Sequence, residues 1–189
     1  MKPKSYHFKL AFAAGMLGAS FASGSAAFAA TTPFTGSGTY TNVNSSFTYD
    51  GAAPAALLTG SETSNFGPAT FQVVSEVSPS TVACTAPDGT AGTIFNLVQT
   101  DAAGAWAKGQ LYFTAVGAAA GSQCVSSTTG SNGGSITYTI TGGTGAFAGA
   151  SGATLLKFSG QTLAAPGTPP GSNGIFGAGK FSFSGSLTK

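Results

Sequence analysis

Five side chains in this sequence are suited to moving protons near neutral pH outside a histidine: Asp50, Glu62, Glu76, Asp88 and Asp101. Hydrolysis of a glycosidic bond would need two of them facing each other across a cleft. Asp50-Gly51, Asp88-Gly89 and Asp101-Ala-Ala-Gly104 read instead as turn sequences. Glu62 and Glu76 fall in strand-like segments. Glu76, with Val74 and Val77 beside it, is the catalytic candidate. Pointed into an apolar cavity, its carboxyl would be driven toward the neutral form and could act as acid or base. The plainer reading is a strand carboxylate facing solvent.

The rest of the usual machinery is missing. His7 is the sole histidine, and no arginine occurs anywhere. Serine and threonine therefore lack the base that activates a nucleophile, and an arginine clamp for anions is ruled out. Cys84 and Cys124 are the only cysteines, too few to complete a zinc site without histidine. The Asp-Gly turns lack the dense ligand spacing of a calcium loop. Gly143-x-Gly145-x-x-Ala148 is a loose echo of a dinucleotide fingerprint, but no helix-forming stretch or acidic residue follows it. No metal and no cofactor is expected. Trp106 and Tyr112 could form a stacking platform for sugar, but a single tryptophan in a strand is more often a core or rim residue.

The first 29 residues read as an address. Lys2, Lys4 and Lys9 precede an uncharged run from Leu10 to Phe21, and Ser23-Gly24-Ser25 and Ala27-Phe28-Ala29 follow. This is the pattern of a secretory signal peptide cut after Ala29. Its apolar centre of roughly a dozen residues is shorter than the about 20 needed to span a bilayer. The reading is thus 1–29 signal peptide and 30–189 a single exported domain, periplasmic or extracellular, without an integral membrane segment. Removing the leader takes His7 with it. Lys108, Lys157, Lys180 and Lys189 then stand against five carboxylates, leaving one net negative charge. Four scattered lysines cannot neutralise a phosphate backbone, so nucleic acid is excluded as a partner. In an exported chain, Cys84 and Cys124 should form a disulfide.

Alternation of apolar and polar residues describes the elements that must carry these groups. Ile136, Tyr138 and Ile140 share one face with threonines between them, and Phe181, Phe183 and Leu187 share another. Strands are expected near 35–43, 45–50, 56–62, 69–77, 92–99, 105–116, 123–128, 135–141, 153–162 and 175–187, eight or nine in all once merged. Pro79, Pro87-Asp88-Gly89, Ala103-Gly104, Gly130–Gly134 and Pro166–Gly174 read as breakers. The best helical stretch, Ala52–Leu58, is interrupted by Pro54. The expected fold is all-β: an antiparallel β-barrel of about eight strands with one disulfide.

The run Tyr138-Thr-Ile-Thr-Gly142-Gly143-Thr-Gly145-Ala-Phe147-Ala-Gly149-Ala-Ser-Gly152 resembles the strand–turn–strand signature of the allene oxide cyclase and dirigent barrels, which many secreted bacterial proteins of unassigned role also carry. The strong match covers this stretch alone. It implies an eight-stranded antiparallel barrel, often with an apolar cavity. Physically the motif is a corner: Gly142, Gly143 and Gly145 let the chain reverse, Phe147 is free to plug the barrel end, and Gly149 and Gly152 let the next strand bend. Dirigent-like catalysis would want acidic and arginine side chains in the cavity, and none can be matched here.

The expected function is that of a secreted, non-enzymatic barrel. It would bind an apolar small molecule inside, or serve as an envelope or matrix surface protein. The alternatives are a cyclase- or isomerase-like enzyme using one carboxylate, and a fimbrial-type structural subunit.

Overall fold

The computed structural model describes residues 30–48, 54–163 and 176–189. The segment 1–29 read as a signal peptide, Asp50 and the whole Pro166–Gly174 breaker lie outside the described residues. Among the described residues nine strands are present: β1 (Thr31–Thr48), β2 (Pro54–Ser64), β3 (Gly67–Thr85), β4 (Ala91–Trp106), β5 (Gly109–Val116), β6 (Ser122–Ser126), β7 (Ser131–Gly143), β8 (Ser151–Leu163) and β9 (Phe176–Thr188). All pairings are antiparallel, and each long strand joins the next in sequence order. Pairing of β9 with β1, from Thr31↔Thr188 to Val43↔Phe176, closes the sheet.

The ring has eight positions for nine strands. β5 pairs with Gln99–Trp106 of β4, while β6 pairs with Gly92–Asn96 of the same strand. Both run in one direction, and both also pair with β7. They are therefore two halves of one strand, broken by a 3₁₀ turn at Gly117–Ala120. The break stays attached to the sheet through Leu97 N–H donating to Gly121 O at 3.0 Å.

Closure in so small a ring requires large and small residues to alternate around the interior. One inward row reads Gly160, Gly179, Tyr40, Gly60, Phe71, Gly104, Leu111, Gly143, one residue per ring position. Gly60 illustrates why the small members are glycine. A Cβ there would sit 2.6 Å from the Phe71 ring and 2.1 Å from the Thr39 carbonyl oxygen. Gly38 is covered in the same way by Phe181.

The interior is a connected set of aromatic rings. Phe34 meets Phe183 at 4.6 Å, Phe66 at 5.7 Å, and Trp106 and Phe113 at 6.0 Å between centroids. Phe181 bridges Phe183 to Phe71. A second cluster of Leu97, Ala115, Ala120, Ile136 and Tyr138 joins it through Phe113, Leu156 and Phe158. Each centroid pair lies in the range where offset or edge-on packing adds to simple burial.

Cys84 and Cys124 form the expected disulfide, with Cα atoms 6.0 Å apart. It ties the end of β3 to β6 across β4, whose Gly92 pairs with Cys84 and lies close to Cys124 Sγ.

Several local expectations are corrected. Ala103-Gly104 lies inside β4, because Gly104 is a small member of the alternating row and not a turn residue. The 105–116 segment is split at Ala107-Lys108, which turn the chain between β4 and β5. Pro79 sits within β3 at a register irregularity, which spares the ladder a missing donor. Gly133 and Gly134 belong to β7, where a Cβ would sit 2.7 Å from the Pro87 ring at the first and 2.2 Å from the Ser122 carbonyl oxygen of β6 at the second. From Pro54 onward the helical stretch is strand.

Candidate functional site

Inward and outward faces assign the carboxyl groups. On β2 the burial pattern places Leu58, Gly60, Glu62 and Ser64 toward the interior and Thr59, Ser61 and Thr63 toward solvent. Glu62 pairs in register with Gly38 of β1 and Ala69 of β3, and Ala69 in turn pairs with Trp106. Its carboxyl is thus inside the aromatic ring set. Oε1 is buried without a hydrogen-bond partner, and burial pushes the pKa up to about 7.

Glu76 is fully buried, yet on the opposite face. The preceding residue, Ser75, faces inward and its hydroxyl bonds Thr100 at 2.8 Å. Strand alternation therefore turns Glu76 outward, in register with Ala55 and Gln99. The carboxylate singled out from the sequence does not line the interior; Glu62 does. The separating signal was weak: Glu62 is one of four inward residues at i, i+2 spacing, but Gly60 and Ser64 blur the apolar face.

The remaining described carboxylates are dispersed. Asp88 is exposed in the turn after β3. It accepts from Thr90 Oγ1 at 2.7 Å, Thr90 N–H at 3.1 Å and Thr129 Oγ1 at 2.5 Å. These bonds hold its carboxyl below the ordinary carboxylate range. Asp101 accepts from Gln99 Nε2 at 2.8 Å on the outer face.

The motif glycines form a rigid corner at the Glu62 end of the ring. Gly145 and Gly149 have positive φ of 57° and 77°, which a side chain would strain. Gly142, the penultimate residue of β7, precedes a close contact of Gly143 with Phe147, and Gly152 is the second residue of β8. The 3₁₀ turn Gly145–Phe147 drives Phe147 into the core, 5.4 Å from Trp106 and 5.5 Å from Phe66. Ser64 organises the same end. Its Oγ accepts from Trp106 Nε1–H at 3.0 Å and Phe66 N–H at 3.2 Å, and donates to Gly67 O. Phe34, Phe66, Trp106 and Phe147 together make a plug, with Glu62 one pleat beneath Ser64.

The outer surface carries a separate feature. An open groove of about 580 Å³ runs over β1–β4, lined by Ser37, Thr39, Ser61, Thr63, Pro68 and Thr70. Glu62 also lines it. Lys180, in register with Thr39, is the nearest strand cation. Farther along the outer face, Val43 pairs with Leu57 and Phe176 in a short exposed apolar row. Among the described residues no three metal-ligating side chains come together, and no helix is long and apolar enough to cross a membrane. Comparison of the chain with family models, curated proteins and solved structures returns no match.

Proposed function

We propose that this chain is an exported, non-enzymatic β scaffold that acts through its outer surface in an envelope or matrix setting. The groove over β1–β4 is its contact site for neutral, polyhydroxylated material. The observation that carries this reading is the division of side chains between the two faces. Aromatic rings occupy the interior, while Ser37, Thr39, Ser61, Thr63 and Thr70 turn their hydroxyls to solvent. Each hydroxyl both donates and accepts, which suits an uncharged partner rich in the same group. This polarity is the inverse of a membrane-spanning barrel, whose outside is apolar. A disulfide and the resemblance of Gly142–Gly152 to secreted barrels support export. Closure of β1 on β9 speaks against a fimbrial subunit, which awaits a strand from a neighbour.

Two measurements at about pH 6, below the Glu62 pKa, test the proposal. A hydrophobic fluorophore should show no saturable, displaceable binding. Retention on insoluble neutral polysaccharide should fall when Thr39→Val, Ser61→Ala and Thr70→Val are combined. Stoichiometric fluorophore binding, or retention indifferent to the triple change, would defeat it.

A second reading has one specific observation in its favour. Glu62, with a pKa of about 7 in apolar surroundings, has the properties of a general acid or base. A cyclase- or isomerase-like activity that survives Glu62→Gln unchanged would remove that support.

A further inference from the structure

Glu62 is one pleat from Ser64, and Ser64 holds two members of the plug, Trp106 and Phe66. Beside Glu62 the inward residues are Gly38 and Tyr40 on β1, Ala69 and Phe71 on β3, and Trp106 on β4, with Phe181 of β9 lying over Gly38. Tyr40 is the one titratable group among them. Its hydroxyl donates toward Asn132 at 3.4 Å, and burial pushes its own pKa up to about 12. Among the described residues, two cations stand at the plug end, Lys108 and Lys189. Both are exposed, and Lys189 donates to the Ala146 carbonyl. Among the described residues, no charge therefore faces Glu62 from the elements packed against it. A neutral carboxyl tolerates such a place. A carboxylate there must gain water or leave, because its buried oxygen has no donor.

We propose that Glu62 is a proton-operated latch: protonated, it lets Phe34, Phe66, Trp106 and Phe147 seal this end of the ring, and ionised, it admits water past Ser64 and loosens that seal. Burial centres the transition near pH 7. The ring is sealed in acidic surroundings and loosened in alkaline ones.

Trp106 is the only tryptophan, so its fluorescence reports on the plug alone. Acrylamide quenching of the intact, disulfide-bonded protein should rise about twofold between about pH 5 and pH 9, with its midpoint near 7. In Glu62→Gln it should stay at the acid value throughout. His7, where the leader is retained, and the α-amino group also titrate in this window; the variant keeps both, so a rise that persists in it overturns the latch. Flat quenching in the unaltered protein overturns it as well. Should Glu62→Gln fail to fold, carbon-13 NMR of the Glu62 carboxyl in the unaltered protein decides. A midpoint near 7 that coincides with the quenching change supports the latch, and one in the ordinary carboxylate range overturns it.

Discussion

At the scale of single residues, two kinds of position govern stability: small residues beneath rings, and carboxyls whose surroundings differ between the folded and unfolded chain. Gly60→Val pushes a branched side chain against the Thr39 carbonyl and the Phe71 ring. Overpacking of this kind should cost about 2–3 kcal/mol, read as a lower urea midpoint with an unchanged slope. Glu62 has a folded pKa raised above its unfolded value. Its favourable contribution is therefore complete below about pH 4.5 and is lost as pH rises through about 7. Urea unfolding at pH 5 and pH 8.5 should differ by on the order of 2–3 kcal/mol, less stable at the higher pH, and Glu62→Gln should flatten the profile. Asp88 works in the opposite sense. Its folded pKa is depressed, so the stability it contributes is present above its unfolded value and disappears as pH falls through the folded one.

Among the elements, the interrupted β5–β6 strand and the Gly145–Phe147 corner matter most. β6 has only five residues and is held by β4, β7 and the disulfide. The bridge closes a loop of 40 residues, for which loop-closure entropy gives roughly 3.5–4 kcal/mol. Replacing both cysteines by serine should lower stability by that order, with amide exchange accelerating first in Ser122–Ser126 and at the end of β3. Phe147→Ala removes a ring that touches both Trp106 and Phe66. The loss should be about 3–4 kcal/mol, accompanied by a red shift of Trp106 emission. A shift confined to stability, with emission unchanged, would mean that Phe147 does not shield the indole.

As a whole molecule, the ring is completed by its own first and last strands. Residues 30–189 should therefore melt as a monomer in one cooperative transition with no added peptide; a chain needing a donated strand would stay open and aggregate. Dilution across the micromolar range should leave the melting temperature unchanged. The aromatic interior and the hydroxyl-bearing exterior then direct attention to the outer face in acid, and to the plug end in base.

Much of this architecture was legible in the residues because it depends on local identity. Strict i, i+2 alternation, as in Phe181 and Phe183, makes a strand wherever it occurs. One cysteine pair allows one disulfide. The want of arginine, and of histidine beyond position 7, limits the chemistry however the chain folds. Even the plugging role of Phe147 could be read from the glycines around it. Other features depended on register, which alternation alone does not set. Glu62 and Glu76 look alike in sequence, yet the strand partners of β2 and β3 turn one into the aromatic interior and the other away from it. Ala103-Gly104 has the composition of a turn and is strand because Phe71 lies across from Gly104. That β5 and β6 are one broken strand, and that β1 meets β9, are facts about residues far apart in the chain. Cross-strand packing in a closed ring decides them, since a slip of one residue would carry every ring from the inside to the outside.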